Sequence, residues 1–174
     1  MIHRARVLGM IAASGMALLG PLPALAEGLT ARAALPQVLA RAKEWQADAA
    51  LVHLSTTKVQ AHGKASEWLY SFYSPATKKR CVVAARPGSV TVKEVTLGSD
   101  TEPLGEFVDS DKAAEVAAKN GLKGNEPSMS VLRPRGAPAS GTRWLVTGGF
   151  EVGDTTITLD AKTGAFQVRS VIDN

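Results

Sequence analysis

Along the second half of the chain, apolar and polar residues alternate in short bursts. In residues 154–160, Ile157 and Leu159 point one way and Thr156 and Thr158 the other, the period-two pattern of a strand with one buried face. Three more runs, 128–133, 142–150 and 165–172, alternate at least in part in the same manner. A segment with a different period precedes them. In "DKAAEVAAKN", Ala113, Val116 and Ala117 fall at i, i+3 and i+4 and give the narrow apolar face of a helix. Asp109 or Ser110 stands where an N-cap is expected, Lys119 lies near the end, and Gly121 occupies the place of a left-handed C-terminal cap. The pattern predicts a helix followed by four strands.

The first half repeats this order. Leu35, Val38, Leu39, Ala42 and Trp45 or Gln46 follow helical spacing within 31–49, where Pro36 is tolerable in an early turn. Extended runs at 50–59, 67–74, 79–85 and 89–96 come next, and Trp68, Tyr70 and Phe72 share one face of the second. Sliding the chain by 76 residues places Ala42-Lys43 on Ala118-Lys119, Trp68-Leu69 on Trp144-Leu145, Ala85 and Gly88 on Ala161 and Gly164, and Val92 and Val95 on Val168 and Val171. The segment Gly98–Gly105 is polar, with Gly and Pro, and reads as a linker. The expected fold is α+β: two tandem units, 27–98 and 109–174, joined through 99–108. Each is a helix packed on its own small antiparallel sheet.

The N-terminus changes which residues count. His3, Arg4 and Arg6 form a basic opening, "VLGMIAASGMALLG" an apolar stretch, and Ala24-Leu25-Ala26 a small-residue cleavage site. The apolar run is shorter than the roughly 20 residues of a membrane span. A cleaved signal over 1–26 is expected, with export to the periplasm or the medium and no stable membrane insertion afterwards. Without Arg4 and Arg6 the charge falls to 18 Lys+Arg against 16 Asp+Glu. That balance, with only the short clusters Lys78-Lys79-Arg80 and Arg133/Arg135, argues against a nucleic-acid partner. The two units differ in sign: 10 Lys+Arg and 5 Asp+Glu in 27–98, against 8 and 11 in 99–174. Cys81 is the sole cysteine, so no disulfide framework supports the fold, and its apolar run "RCVVAA" suggests a buried thiol.

Candidate chemistry narrows quickly. "LDAKTGAF" (159–166) carries Asp, Lys and Thr beside Gly, but Ala161 separates Asp160 from Lys162, unlike the contiguous motif of a phosphorylated aspartate. One carboxylate is also too few for calcium, which takes six or more oxygens. Asp160 and Gly164 read instead as a hairpin turn, the carboxylate accepting backbone N–H groups and the glycine supplying positive φ. Gly148-Gly149 reads as a strand irregularity. His53 and His62, the two histidines beyond the signal, have no partners at metal-ligand spacing. No catalytic, metal or cofactor residue is assigned. If the protein binds a partner, the aromatics Trp45, Tyr70, Phe72 and Tyr73 are the candidates, since the repeat does not require an aromatic at their counterparts.

"DSDKAAEVAAKNG", "RWLVTGGF" and "TTITLDAKTGAF" together resemble the PepSY domain, a helix followed by strands that ends in an Asp-Ala-x-Thr-Gly turn and a last strand. The resemblance covers about 109–172 and extends to 34–96 only through the 76-residue offset, where Ala84 replaces the turn's Asp. It implies a non-catalytic module that contacts or restrains a partner, often suggested to be a secreted or envelope peptidase. The module would inhibit that peptidase or assist its folding, and an exposed sheet edge could accept an extended peptide. Two alternatives are a small-molecule or lipid-binding envelope protein and a self-associating structural one.

Overall fold

The computed structural model of the protein describes residues 28–95 and 102–173; the expected signal, 1–26, and residues 99–101 of the expected linker lie outside them. Helix α1 (Leu35–Trp45) carries Pro36 in its first turn, where a missing N–H breaks no helical bond. It is shorter than the 31–49 that periodicity suggests, because residues 31–34 turn into it rather than continue it. Strands β1 (Ala50–Thr56), β2 (Trp68–Ser74), β3 (Lys79–Arg86) and β4 (Ser89–Val95) follow. Helix α2 (Ser110–Lys119) then precedes β5 (Ser128–Leu132), β6 (Arg143–Thr147), β7 (Thr155–Asp160) and β8 (Phe166–Val171). Asp109 is the N-cap of α2, and Gly121 at φ 80 releases the chain at its other end.

These strands do not form two small sheets. They form one eight-stranded antiparallel sheet in the order β4-β3-β2-β1-β5-β6-β7-β8, beside which the described residues hold two short α-helices, so the expectation of two helix-on-sheet units is corrected. The joint is β1 against β5, with Leu54 opposite Val131, Ser55 opposite Ser130 and Thr56 opposite Met129. Each four-stranded meander would otherwise leave the N–H and C=O groups of its first strand as an open edge. Pairing the two first strands removes both edges and makes the order symmetric about the seam.

Both helices pack on the same face. α1 lies against β3 and β4, and α2 against β6 and β7. Their buried residues Val38, Ala42, Ala113 and Ala117 join one core with Leu54, Trp68, Tyr70, Phe72, Val83, Val131, Trp144, Ile157 and Leu159. Trp68 and Trp144 meet edge to face across the seam, their ring centroids 6.2 Å apart. Each indole N–H donates to the segment leading into its own helix, Trp68 to the carbonyl of Leu29 at 2.8 Å and Trp144 to that of Val108 at 3.1 Å. Phe107 also meets Trp144 edge to face, with ring centroids 6.1 Å apart.

The core also corrects the gap-free alignment. From β2 onward the equivalent core positions stand 76 residues apart, as Cys81 and Ile157 do. In the helices, however, buried Val38 and Ala42 correspond to buried Ala113 and Ala117, 75 residues on, while Ala118 is exposed. The match of Ala42-Lys43 to Ala118-Lys119 is therefore one residue out of phase.

A polar clasp ties the halves together. One oxygen of Asp109 accepts from the Thr30 hydroxyl at 2.7 Å, and the other from the N–H groups of Arg32 and Ser110, each at 2.8 Å. The Ser110 hydroxyl oxygen accepts from Ala31 N–H at 2.9 Å. Beside it, Gly63 sits at φ 66, and a Cβ there would lie 2.2 Å from the Ser110 carbonyl, so the approach of the 61–63 turn to α2 needs glycine.

Candidate functional site

Alternation along each strand leaves a second face that neither described helix covers. One cross-strand row runs the full width of the sheet there: Thr91, Ala84, Leu69, Ser55, Ser130, Leu145, Thr158 and Val168 are successive partners. A second row joins Lys93, Val82, Ser71 and His53. On the other half, Leu132 stands opposite Arg143 and Arg143 opposite Asp160, while Ser128, Thr147, Thr156 and Ser170 form a hydroxyl row. The hydroxyls of Thr147 and Thr156 are 3.1 Å apart. Residues in the middle of this face, among them Leu69, Ser130, Leu132 and Leu145, are half-buried, whereas their neighbours along each strand are fully buried in the core.

Seven steps of about 4.8 Å make the face about 34 Å wide, and five residues of strand make it about 17 Å long. That is about 580 Å² in projection, the size of a small interface beside the roughly 800 Å² one partner contributes to a standard one. It mixes small hydroxyls with isolated leucines and valines, and its cationic side chains outnumber its anionic ones. His53 lies among them. Burial and the neighbouring Arg80 guanidinium both push its pKa below the usual value.

The aromatics singled out from the sequence lie elsewhere. Tyr70 and Phe72 have no accessible surface, and the Tyr70 hydroxyl donates to the Ala31 carbonyl at 2.6 Å. Tyr73 is 9% exposed, on the uncovered side opposite Arg80. Trp45 packs at the rim of the core and donates through Nε1 to Glu94 at 3.0 Å. The structure brings Tyr70 and Phe72 together as core residues and does not gather the four into one surface. The leucines and serines of the uncovered face carry no residue type that marks a contact surface; the signal for them is the out-of-phase half of the same strand alternation.

Asp160 and Gly164 form a turn. Asp160 Oδ1 accepts from the Thr163 N–H at 2.8 Å and from its hydroxyl at 2.7 Å, and Gly164 takes φ 73. Those two bonds hold the Asp160 carboxyl below the usual aspartate range. Gly148 answers to close packing, since a Cβ there would lie 1.8 Å from the Lys123 carbonyl oxygen. Burial, with a smaller push from Glu94, raises the Cys81 thiol to about 11. Among the described residues no three His, Cys, Asp or Glu side chains gather as metal ligands would. A depression of about 430 Å³ lies beside the segment that enters α2, lined by Leu104, Gly105, Glu106, Ala139, Thr142 and Lys162.

No protein-family model matches the chain, and no curated protein matches it. Among solved structures it is similar to a crystal structure described as a "putative lipoprotein" from Clostridium difficile 630. The TM-score is 0.51 at 13% identity, over 78% of this chain and 91% of that one. A likeness at that identity shows the fold alone. No described helix is long and apolar enough to cross a membrane.

Proposed function

We propose that the protein is exported through a signal cleaved after Ala26 and works as a non-catalytic binding module, docking a folded partner on the uncovered face of its sheet. The observation that carries this reading is the row of eight from Thr91 to Val168, which crosses the seam between the two halves on a face that no described helix covers. A rigid sheet holds such a surface ready, so little ordering is needed when a partner arrives. The cations Lys93, Arg80 and Arg143 favour a partner presenting carboxylates. The PepSY resemblance supplies the partner class: an exported or envelope peptidase that the module restrains or helps to fold. The neighbour's description as a lipoprotein agrees with an envelope setting.

The test is a capture from envelope extract and culture medium with the tagged protein. Two variants of the open face, Ser130→Arg and Leu145→Arg, run beside Ala118→Arg on the exposed side of α2. A partner retained by the wild type and by Ala118→Arg but lost by both face variants, all equally folded, is the expected result. A partner that ignores the face variants contradicts the reading, as does the recovery of no partner.

A further inference from the structure

The two ends of the sheet are finished differently. At β4, α1 lies alongside, Trp45 and Lys79 both reach Glu94, and Lys93 adds a second charge next to it. Edges charged in this way resist further strand addition. At β8 all six residues are exposed, α2 packs mainly on β6 and β7 with the Arg169 guanidinium beside Gly121 at its C-terminal end, and Phe166, Val168 and Val171 keep 45%, 48% and 45% of their surface. The N–H and C=O of Ile172 both bond back toward the β7 side, to Asp154 and Gly153 at 2.9 Å each. Alternation then turns the N–H and C=O groups of Arg169 and Val171 outward, away from β7, on an edge that no described strand pairs.

We propose that β8 is the seam of a two-fold dimer, pairing antiparallel with β8 of a second copy to make a sheet of sixteen strands. The residues select both the occupant and the register. Centring the pair on Arg169 would set two guanidinium groups face to face, which is unfavourable. Centring it on Ser170 places Arg169 opposite Val171 of the second copy, satisfies all four outward backbone groups on each strand, and sets Val168 opposite Ile172. It also sets Arg169 diagonally between Asp173 and Arg169 of the second copy, so that each guanidinium gains a carboxylate within reach of a long side chain and the two guanidinium groups stand diagonal rather than directly opposed. Within one chain those two charges are about 13 Å apart along the strand and cannot meet. Among the described residues no carboxylate pairs with Arg169. The interface is isologous, as a closed dimer requires. It extends the uncovered face without occupying it, so it stands independently of the docking function proposed above.

The experiment uses the protein purified after expression of the full chain. Sedimentation across a broad concentration range is expected to show a monomer–dimer equilibrium. Ser170 lies on the axis at a non-hydrogen-bonded position, where strand separation suits a disulfide. Ser170→Cys is therefore expected to give a disulfide-linked dimer on mild oxidation, with Thr91→Cys on the opposite edge as the negative control. Arg169→Asp and Asp173→Arg are each expected to shift the equilibrium to monomer, and the double exchange to restore the dimer. A wild type that stays monomeric overturns the proposal. So does a dimer that ignores both charge changes, or a Ser170→Cys variant that fails to cross-link.

Discussion

Asp109 serves two parts of the chain at once. It caps α2 and also holds the loop at Thr30 and Arg32, so its removal costs more than an ordinary cap. Asp109→Ala is expected to destabilise the protein by about 2 kcal/mol, a cap worth about 1 and the remainder from loop donors left without an acceptor. Denaturant unfolding measures this. His53 makes the second prediction at this scale. Its pKa in the folded protein lies below that of the unfolded chain, about 6.5. As pH falls through that value, the unfolded chain takes up a proton that the folded one resists, so stability declines on acidification and is unaffected well above it. Thermal unfolding from pH 8 to pH 5 is expected to show this slope, and His53→Gln to flatten it. Asp160 sits in an exposed turn, and Asp160→Asn is expected to lower the unfolding midpoint only slightly.

Single elements were largely legible in the sequence. β3, expected at 79–85, spans Lys79–Arg86, and α2, expected from "DKAAEVAAKN", spans Ser110–Lys119. Alternation and capping are local, and each names its own element. The turn at Asp160 was legible for the same reason, since one carboxylate and one glycine suffice to build it. The β1–β5 pairing was not. It joins Ser55 to Ser130 across 75 residues, and both strands read identically whether they end a small sheet or centre a large one. The uncovered face was hidden with it, because alternation says that a strand has two faces but not what covers each. The binding aromatics illustrate the limit: Tyr70 and Phe72 share a strand face, as their spacing implies, and that face is the core. Trp144 tests the shared core directly. Trp144→Ala removes the contact with Trp68 as well as with Phe107, and is expected to cost about 3–5 kcal/mol. The loss should appear equally in the amide exchange of β2 and β6. A loss confined to β6 would mean that the halves unfold separately.

At the scale of the molecule, a sheet whose second face no described helix covers has consequences for function. The helices, the clasp at Asp109 and the paired tryptophans lie on or beside one face and make the two halves a single body. The other face then becomes a continuous platform that neither half could provide alone, with the seam at its middle. Its most direct test is chemical accessibility at that seam in the free protein. Ser130→Cys places a thiol there, next to Ser55 and Leu145, while native Cys81 is buried and held protonated as an internal control. A water-soluble thiol reagent is expected to modify residue 130 in the folded protein, at the rate of a half-exposed thiol, while leaving Cys81 untouched until the protein unfolds. Protection of residue 130 to the degree seen at Cys81 would show the face already covered, and would contradict its assignment as the docking surface.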